Sequence, residues 1–88
     1  MEKDEFEIKL LEFINHKLIG SANIRITETA KLFEKRLINS MKIIELIAFV
    51  EKKLKIKVND DMVTMENFES VRIIADKFIN YGKKRKSK

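Results

Sequence analysis

The feature that most constrains the fold is the scarcity of residues that interrupt a helix. The chain contains no proline, and its only glycines are Gly20 and Gly82. Both residue types end or bend helices and build tight turns, so their scarcity favours long helices over a turn-rich β fold. A length of 88 residues and a hydrophobic fraction of 44% fit one folded domain.

The first segment has its apolar residues at helical spacing over residues 5–19. Intervals of three and four residues put them on one face, which comprises Phe6, Leu10, Phe13, Ile14 and Leu18. Acidic residues cluster at the start of this segment, where a helix dipole favours negative charge. Gly20 is placed to end the helix.

A second helix is predicted over residues 40–54, and it carries two apolar strips. The wider strip is the predicted core face and comprises Ile43, Leu46, Ile47, Val50 and Leu54. The smaller strip comprises Met41, Ile44 and Ala48 and is bordered by Glu45 and Lys52. Because the two strips point in different directions, the smaller one either packs under a neighbouring loop or is available to a partner.

The remaining segments predict a four-helix arrangement. Residues 20–39 lack strong periodicity and predict a long loop across the core, with a short helical turn near residues 28–34. MVTMENF, residues 62–68, predicts a short helix, and Ser70 is placed to cap a last helix over residues 71–81. The predicted fold is all-α: a small antiparallel four-helix bundle of three main helices and one short helix, with a long loop between helices 1 and 2.

Composition excludes several classes of function. The chain has no cysteine, which excludes disulfides, thiolate metal sites and a cysteine nucleophile. No apolar run reaches the length of about 20 residues that crosses a bilayer, and the charged N-terminus lacks the apolar core of a signal peptide. We therefore expect a cytoplasmic protein.

The positive charge is concentrated at the C-terminus. The net charge is +5, and the last six residues, KKRKSK, include five basic residues, so residues 1–82 are neutral overall. Because a block of like charge is usually disordered, we expect a folded domain over residues 1–82 and a disordered basic tail over residues 83–88. Binding of the tail to nucleic acid is not favoured, since only Tyr81 offers a nearby aromatic ring for base stacking. An anionic membrane surface is the other contact that such a tail would suit.

Ser40 lies at the start of the second predicted helix, within RLINSMKIIELI, residues 36–47. Serine is a common helix cap, and Asn39 would serve equally well. Neither position begins a capping box, since the residue three positions further on is Ile43 or Lys42. The local pattern alone favours a structural role for Ser40.

Two motifs, in order along the chain, resemble the acyl carrier and peptidyl carrier protein family. One combines Leu32-Phe33-Glu34 with Leu37-Ile38-Asn39-Ser40-Met41, and the other combines Asp60-Asp61-Met62 with Glu66-Asn67-Phe68 and Ser70-Val71. In that family a serine opens the second helix within Asp-Ser-Leu or Asp-Ser-Met, and the fold is a four-helix bundle with a long first loop. The resemblance extends over residues 5–81.

The resemblance implies a carrier and not an enzyme, with no catalytic residue and no metal. Ser40 is the implied attachment point of a 4′-phosphopantetheine group, with Asn39 and Met41 beside it, and the thiol of that group would hold an acyl or aminoacyl group as a thioester. The implied partners are a phosphopantetheinyl transferase, a ligase that loads acyl or aminoacyl groups and downstream transferases of fatty-acid or secondary-metabolite biosynthesis. The docking residues expected for these partners are Met41, Ile44, Glu45 and Ala48. The same strip would also fit against Leu37 and Ile38 of the loop.

Three features depart from the family pattern. Asn39 replaces the usual aspartate, which removes a carboxylate that helps the transferase to recognise the site. Arg36 stands where glycine is common, at a cost of about 1 kcal/mol if the backbone there has a positive φ. The second helix has a net charge of +1 and is not acidic, which favours a specialised carrier with its own enzymes over a housekeeping one.

Other candidate residues fit ordinary structural roles. His16 is the only histidine, lacks the partners of a catalytic triad and fits a position near a helix C-terminus. Asp60, Asp61 and Glu66 do not match the spacing of a calcium loop, so no metal site is expected. The alternative to a carrier is a small basic helical binding protein that has a carrier-like fold but no phosphopantetheine. A monomer is the simplest expected state.

Overall fold

Helices account for the regular structure of the described part of the chain. The computed structural model describes residues 2–20, 25–33 and 38–86, and of residues 83–86 it describes only the backbone. The helical elements are α1 (Lys3–Phe13), a π-helix (Ile14–Ile19), α2 (Ser40–Leu54), a 3₁₀-helix (Asp60–Met62) and α3 (Val71–Lys86). No strand occurs within these residues, so the predicted all-α class is confirmed. No described helix has both the length and the apolar character needed to span a membrane.

The first helix differs from its prediction in the last turns. The sequence predicts one α-helix over residues 5–19, whereas the structure changes from α1 to a π-helix at Ile14. In this wider segment the side chain of Asn15 is buried and its amide bonds the backbone of Ile26. The helix ends at Gly20, as predicted, in the left-handed conformation with φ 65°, which glycine adopts without steric cost.

The core contains one face of each helix. Helix α1 packs most extensively against α3, and α2 contacts both. The radius of gyration is 12.3 Å, which matches the value of about 12 Å expected for a compact chain of this length. Of the predicted core face of α2, Ile43 and Ile47 are half-buried at its edge. The fully buried aromatic and aliphatic side chains include Phe6, Leu10, Ile14, Leu46, Val50, Phe68, Ile74 and Phe78.

The segment between α1 and α2 is tied to the start of α3. The N–H of Leu32 donates to the carbonyl of Glu69 at 2.8 Å, and the N–H of Arg72 donates to the carbonyl of Glu28 at 2.9 Å. Ile26, Leu32 and Ile38 are buried, so the described part of this segment packs on the core.

The helical turn predicted near residues 28–34 is not helical in the part that the structure describes, residues 25–33, where turns occur instead. The turn at Thr27 is closed by the N–H of Ala30, which donates to the Thr27 carbonyl at 3.2 Å. The predictions for Arg36 and Leu37 fall outside the described residues.

The short helix predicted over residues 62–68 is replaced by the 3₁₀-helix and a single turn. In that turn the N–H of Phe68 donates to the Thr64 carbonyl at 3.2 Å. Thr64 Oγ1 accepts a hydrogen bond from the Asn67 N–H at 3.1 Å, in the pattern of a helix cap, and Asn67 Nδ2 donates to the Met62 carbonyl at 2.8 Å. These bonds hold a single turn that does not continue as a helix.

Helix α3 begins where predicted and ends later. Ser70 caps it, since Ser70 Oγ accepts a hydrogen bond from the N–H of Ile73 at 3.2 Å. The helix extends through Lys86, beyond the predicted end at residue 81, so the backbone of residues 83–86 is helical. At the predicted end, the Tyr81 hydroxyl donates to the Lys57 carbonyl at 3.1 Å. The last two residues of the predicted tail, 87–88, lie outside the described residues.

Candidate functional site

Asn39, and not Ser40, caps helix α2. The Asn39 backbone is extended, with φ −112° and ψ −175°, and its Oδ1 accepts a hydrogen bond from the N–H of Lys42 at 3.0 Å. The Asn39 carbonyl accepts the first hydrogen bond of the helix, from the N–H of Ile43, at 2.9 Å. The sequence allows either residue as the cap, and the geometry assigns this role to Asn39.

Ser40 is the first residue of α2, and it is exposed. Its hydroxyl makes no hydrogen bond to any residue that the structure describes. The N–H groups of Ser40 and Met41 lie in the first turn, where no helical carbonyl precedes them. These N–H groups and the positive end of the helix dipole would stabilise an anionic group attached to the Ser40 oxygen.

The smaller apolar strip of α2 faces solvent. The exposed fractions are 76% for Met41 and 67% for Ile44, and Ala48 and Glu45 are also exposed. With these exposed fractions, Met41 and Ile44 are not covered by the described part of the loop, and Leu37 lies outside the described residues. An exposed methionine next to an exposed isoleucine is a surface that a partner protein can cover.

Helix α2 presents little negative charge to solvent. Its two carboxylates are Glu45 and Glu51, and Glu51 Oε2 accepts a hydrogen bond from the N–H of Val58 at 2.8 Å. This bond ties the end of α2 to the segment that follows. Glu45 is therefore the only carboxylate of α2 on the exposed strip, whereas Lys52 and Lys53 are both exposed near the C-terminal end of the helix.

A groove between α1 and α2 adjoins this strip. The rings of Phe13 and Phe49 stack with centroids 4.2 Å apart, and Lys53 Nζ lies 5.7 Å from the centroid of Phe49. On the α1 side the rings line a groove of about 300 Å³. On the other side they line a hollow of about 450 Å³ that includes Glu45 and Ala48.

The other residues indicated by the sequence do not form a reactive cluster. His16 is exposed in the π-helix and lines the groove beside Phe13. Asp60 and Asp61 are exposed in the 3₁₀-helix. Within the described residues, no group of three or more histidine, aspartate and glutamate side chains could hold a metal ion.

Two structural contributors are not predicted from the sequence. Asn15 holds the loop, because Ile26 N–H donates to its Oδ1 at 2.8 Å and its Nδ2 donates to the Ile26 carbonyl at 3.3 Å. Its position next to the apolar residue Ile14 is the only sequence signal of burial. Phe49 is the second contributor. It lies between the two predicted strips of α2, so the apolar pattern assigns it to neither, and its stacking on Phe13 becomes visible only when α1 packs against α2.

The function is proposed from these features, because two comparisons with known proteins give no match. No protein-family model matches the chain. No curated protein matches it at a significant level of similarity.

Proposed function

We propose that this chain is a carrier protein in which the Ser40 hydroxyl is the attachment point of a 4′-phosphopantetheine group. The observation that carries the proposal is that Ser40 is exposed at the first position of α2 while Asn39 makes the capping bond. The Ser40 oxygen therefore has no capping role in the fold. The resemblance of the two sequence motifs to carrier proteins supplies the chemical identity of the group.

The residues around Ser40 fit such a group. A phosphodiester at the Ser40 oxygen would lie beside the N–H groups of Ser40 and Met41, and the dipole of α2 would stabilise its negative charge. The uncharged amide of Asn39 places no carboxylate next to that phosphate. When attached, the group supplies a thiol, which this chain lacks, for carrying an acyl or aminoacyl group.

The exposed strip beside Ser40 fits the docking of partner enzymes. Met41 and Ile44 supply the apolar contact, and Glu45 and Ala48 continue the surface toward the Phe13–Phe49 groove. The partners in this proposal are a phosphopantetheinyl transferase, a loading ligase and downstream transferases. Because α2 carries little exposed negative charge, we expect these enzymes to lack the strongly basic surface that suits an acidic carrier, as for a specialised carrier.

The proposal includes a finer description of the fold. In a carrier-type four-helix bundle, the 3₁₀-helix and the turn at Thr64–Phe68 take the place of the short third helix. The segment between α1 and α2 is then the long first loop, which here is tied to α3 through Glu28 and Leu32. A cytoplasmic location belongs to the same proposal.

Intact mass after incubation with coenzyme A and a broad-specificity phosphopantetheinyl transferase tests the proposal. We expect the wild-type chain to gain one phosphopantetheine and the Ser40→Ala variant to gain none. Ser70→Ala is the matched control, because Ser70 also stands at a helix start but is buried, with 5% exposure. It should be modified like the wild type. An unchanged wild-type mass with every transferase tested would contradict the proposal.

A small basic binding protein is the second candidate function. The observation that favours it is that α3 extends through Lys86, so part of the basic segment continues a helix. Binding of the chain to a mixed-sequence DNA or RNA that weakens with salt and is lost on deletion of residues 83–88 would support this function. Modification of Ser40 without such binding would exclude it.

A further inference from the structure

Two phenylalanine rings form an apolar floor between α1 and α2. Phe13 and Phe49 are both half-buried, and their rings stack with 4.2 Å between the centroids and 21° between the planes. The ring of Phe49 also lies 6.5 Å from that of Phe6, which is fully buried in the core. Because the pair is packed against the core, the parts of the two rings that reach solvent form a well-fixed apolar surface.

Lysines surround these rings. Lys9, Lys17 and Lys53 line the Phe13–Phe49 groove of about 300 Å³. Lys52 and Lys53 line the hollow of about 450 Å³ on the other side of the rings. Lys53 is therefore shared by the two spaces, and its Nζ lies 5.7 Å from the centroid of Phe49.

The charge of these lysines is not neutralised by neighbouring carboxylates. None of the lysines that line the two spaces forms an ion pair with a residue that the structure describes. Each lining includes a single glutamate, Glu12 in the groove and Glu45 in the hollow. Lysines outnumber glutamates in both linings, so both have a net positive charge even when His16 is neutral.

The chemistry of this site fits a ligand with an apolar body and a negative group. Cavities of about 300–1,000 Å³ with apolar walls and a few convergent polar groups are typical of small-molecule sites. A bare inorganic anion would leave the rings uncovered, and a neutral hydrocarbon would leave the lysines unpaired. We propose that the Phe13–Phe49 groove binds a small amphiphilic carboxylate, which is an aliphatic or aromatic acid.

Lys53 is the residue that binds the carboxylate in this proposal. Its ammonium group lies over the ring of Phe49, so a carboxylate bound to it brings the apolar body of the ligand against the rings. Lys9 is half-buried, so part of its methylene chain contributes to the apolar wall. Lys17 and Lys52 are exposed and add positive charge on either side of the rings.

The inference does not depend on the carrier proposal. The linings include neither Ser40 nor the exposed pair of Met41 and Ile44, and the site needs no attached group. It adds a binding function to the surface between α1 and the C-terminal half of α2.

A titration of the unmodified full chain with two amphiphiles, followed by amide chemical shifts, tests the inference. Decanoate and decylamine have apolar tails of similar length and head groups of opposite charge at neutral pH. We expect decanoate to shift the signals of Phe13, Phe49 and Lys53 saturably. It should bind about tenfold more tightly than decylamine, or better, because the linings are positively charged.

A lysine variant and its matched control locate the carboxylate. Lys53→Gln removes the shared positive charge and should weaken the binding of decanoate several-fold without weakening that of decylamine. Lys57→Gln makes the same change at an exposed position outside both linings and should bind decanoate like the wild type. Both changes are on exposed side chains, so both variants should fold, which the midpoint of urea unfolding checks.

Several results would overturn the inference. One is equal affinity for decanoate and decylamine, and another is the absence of saturable shifts below the micelle concentration of decanoate. Shifts centred on Met41 and Ile44 would also overturn it, because the amphiphile would then bind the exposed strip of α2. A glutamate-rich amphipathic peptide that binds the groove when decanoate does not would assign the groove to a protein partner instead.

Discussion

The starts of α2 and α3 each have a serine, but the two serines have different surroundings. Ser70 is buried, its Oγ accepts a hydrogen bond from Ile73 N–H, and the next N–H, of Arg72, donates to the Glu28 carbonyl of the loop. Ser40 is exposed, and the capping bond at the start of α2 is made by Asn39 and not by Ser40. The Ser70 hydroxyl and the N–H groups of Arg72 and Ile73 therefore have partners within the fold, whereas the Ser40 hydroxyl at the start of α2 is exposed to solvent.

This difference separates a structural serine from a candidate modification site. A buried serine whose side-chain oxygen caps a helix is covered by the fold, and its esterification would weaken the capping bond. A residue with an exposed oxygen, next to a separate cap, can be esterified without cost to the fold. Both serines stand at a helix start, so what distinguishes Ser40 from Ser70 as a candidate site is that another residue makes the capping bond beside it.

The largest expected effect concerns the loop that covers the start of α3. Asn15→Ala removes both amide bonds to Ile26 and leaves a buried N–H and a buried carbonyl without partners, at a cost of about 2–3 kcal/mol in the free energy of unfolding. Asn80→Ala, at an exposed position of α3, should change it by less than about 0.5 kcal/mol. Urea unfolding measures both. Equal losses in the two variants would contradict the structural role given to Asn15.

The next effect compares the two serines directly. Ser70→Ala removes the cap of α3 and should lower the free energy of unfolding by about 1 kcal/mol. Ser40→Ala should change it by less than about 0.5 kcal/mol, because the Asn39 cap is retained. The difference in the free energy of unfolding is measured from the midpoints of urea unfolding, with the same dependence on urea concentration in both variants. A loss for Ser40→Ala as large as that for Ser70→Ala would contradict the assignment of the caps.

The smallest expected effect concerns Asn39 itself. Asn39→Asp keeps a side-chain oxygen for Lys42 N–H and adds a negative charge at the N-terminus of α2, for a gain of about 0.3–1 kcal/mol. If the missing carboxylate limits recognition by the transferase, the same variant should also be modified faster, as followed by mass over time. Asn39→Ala is the matched control and should lose about 1 kcal/mol with no faster modification. An unchanged rate for Asn39→Asp would show that the asparagine is not what limits the enzyme.

Apolar periodicity predicts most of the helical structure. The spacing of Leu46, Val50 and Leu54 fixes the buried side of α2, and the bounds of α2 agree with the prediction. Gly20 and Ser70 mark a helix end and a helix start, because each has one strong local preference that the fold satisfies.

The features that sequence does not predict depend on contacts between distant residues. The π-helix contains Asn15, whose side chain bonds the backbone of Ile26, 11 residues further along the chain. The Tyr81 hydroxyl likewise bonds the Lys57 carbonyl, a contact that only the folded chain brings together. For the candidate site, the sequence indicates Ser40 and its neighbours, but the choice of Asn39 as the cap requires geometry.

The most direct test of the central claim is to locate the attached group within the wild-type chain. After incubation with coenzyme A and a transferase, trypsin separates Ser40 in LINSMK, residues 37–42, from Ser70 in VNDDMVTMENFESVR, residues 58–72. We predict that fragmentation finds the phosphopantetheine on Ser40 and on none of the other three serines. A group found on Ser70, or a peptide 37–42 that stays unmodified with every transferase tested, would contradict the account.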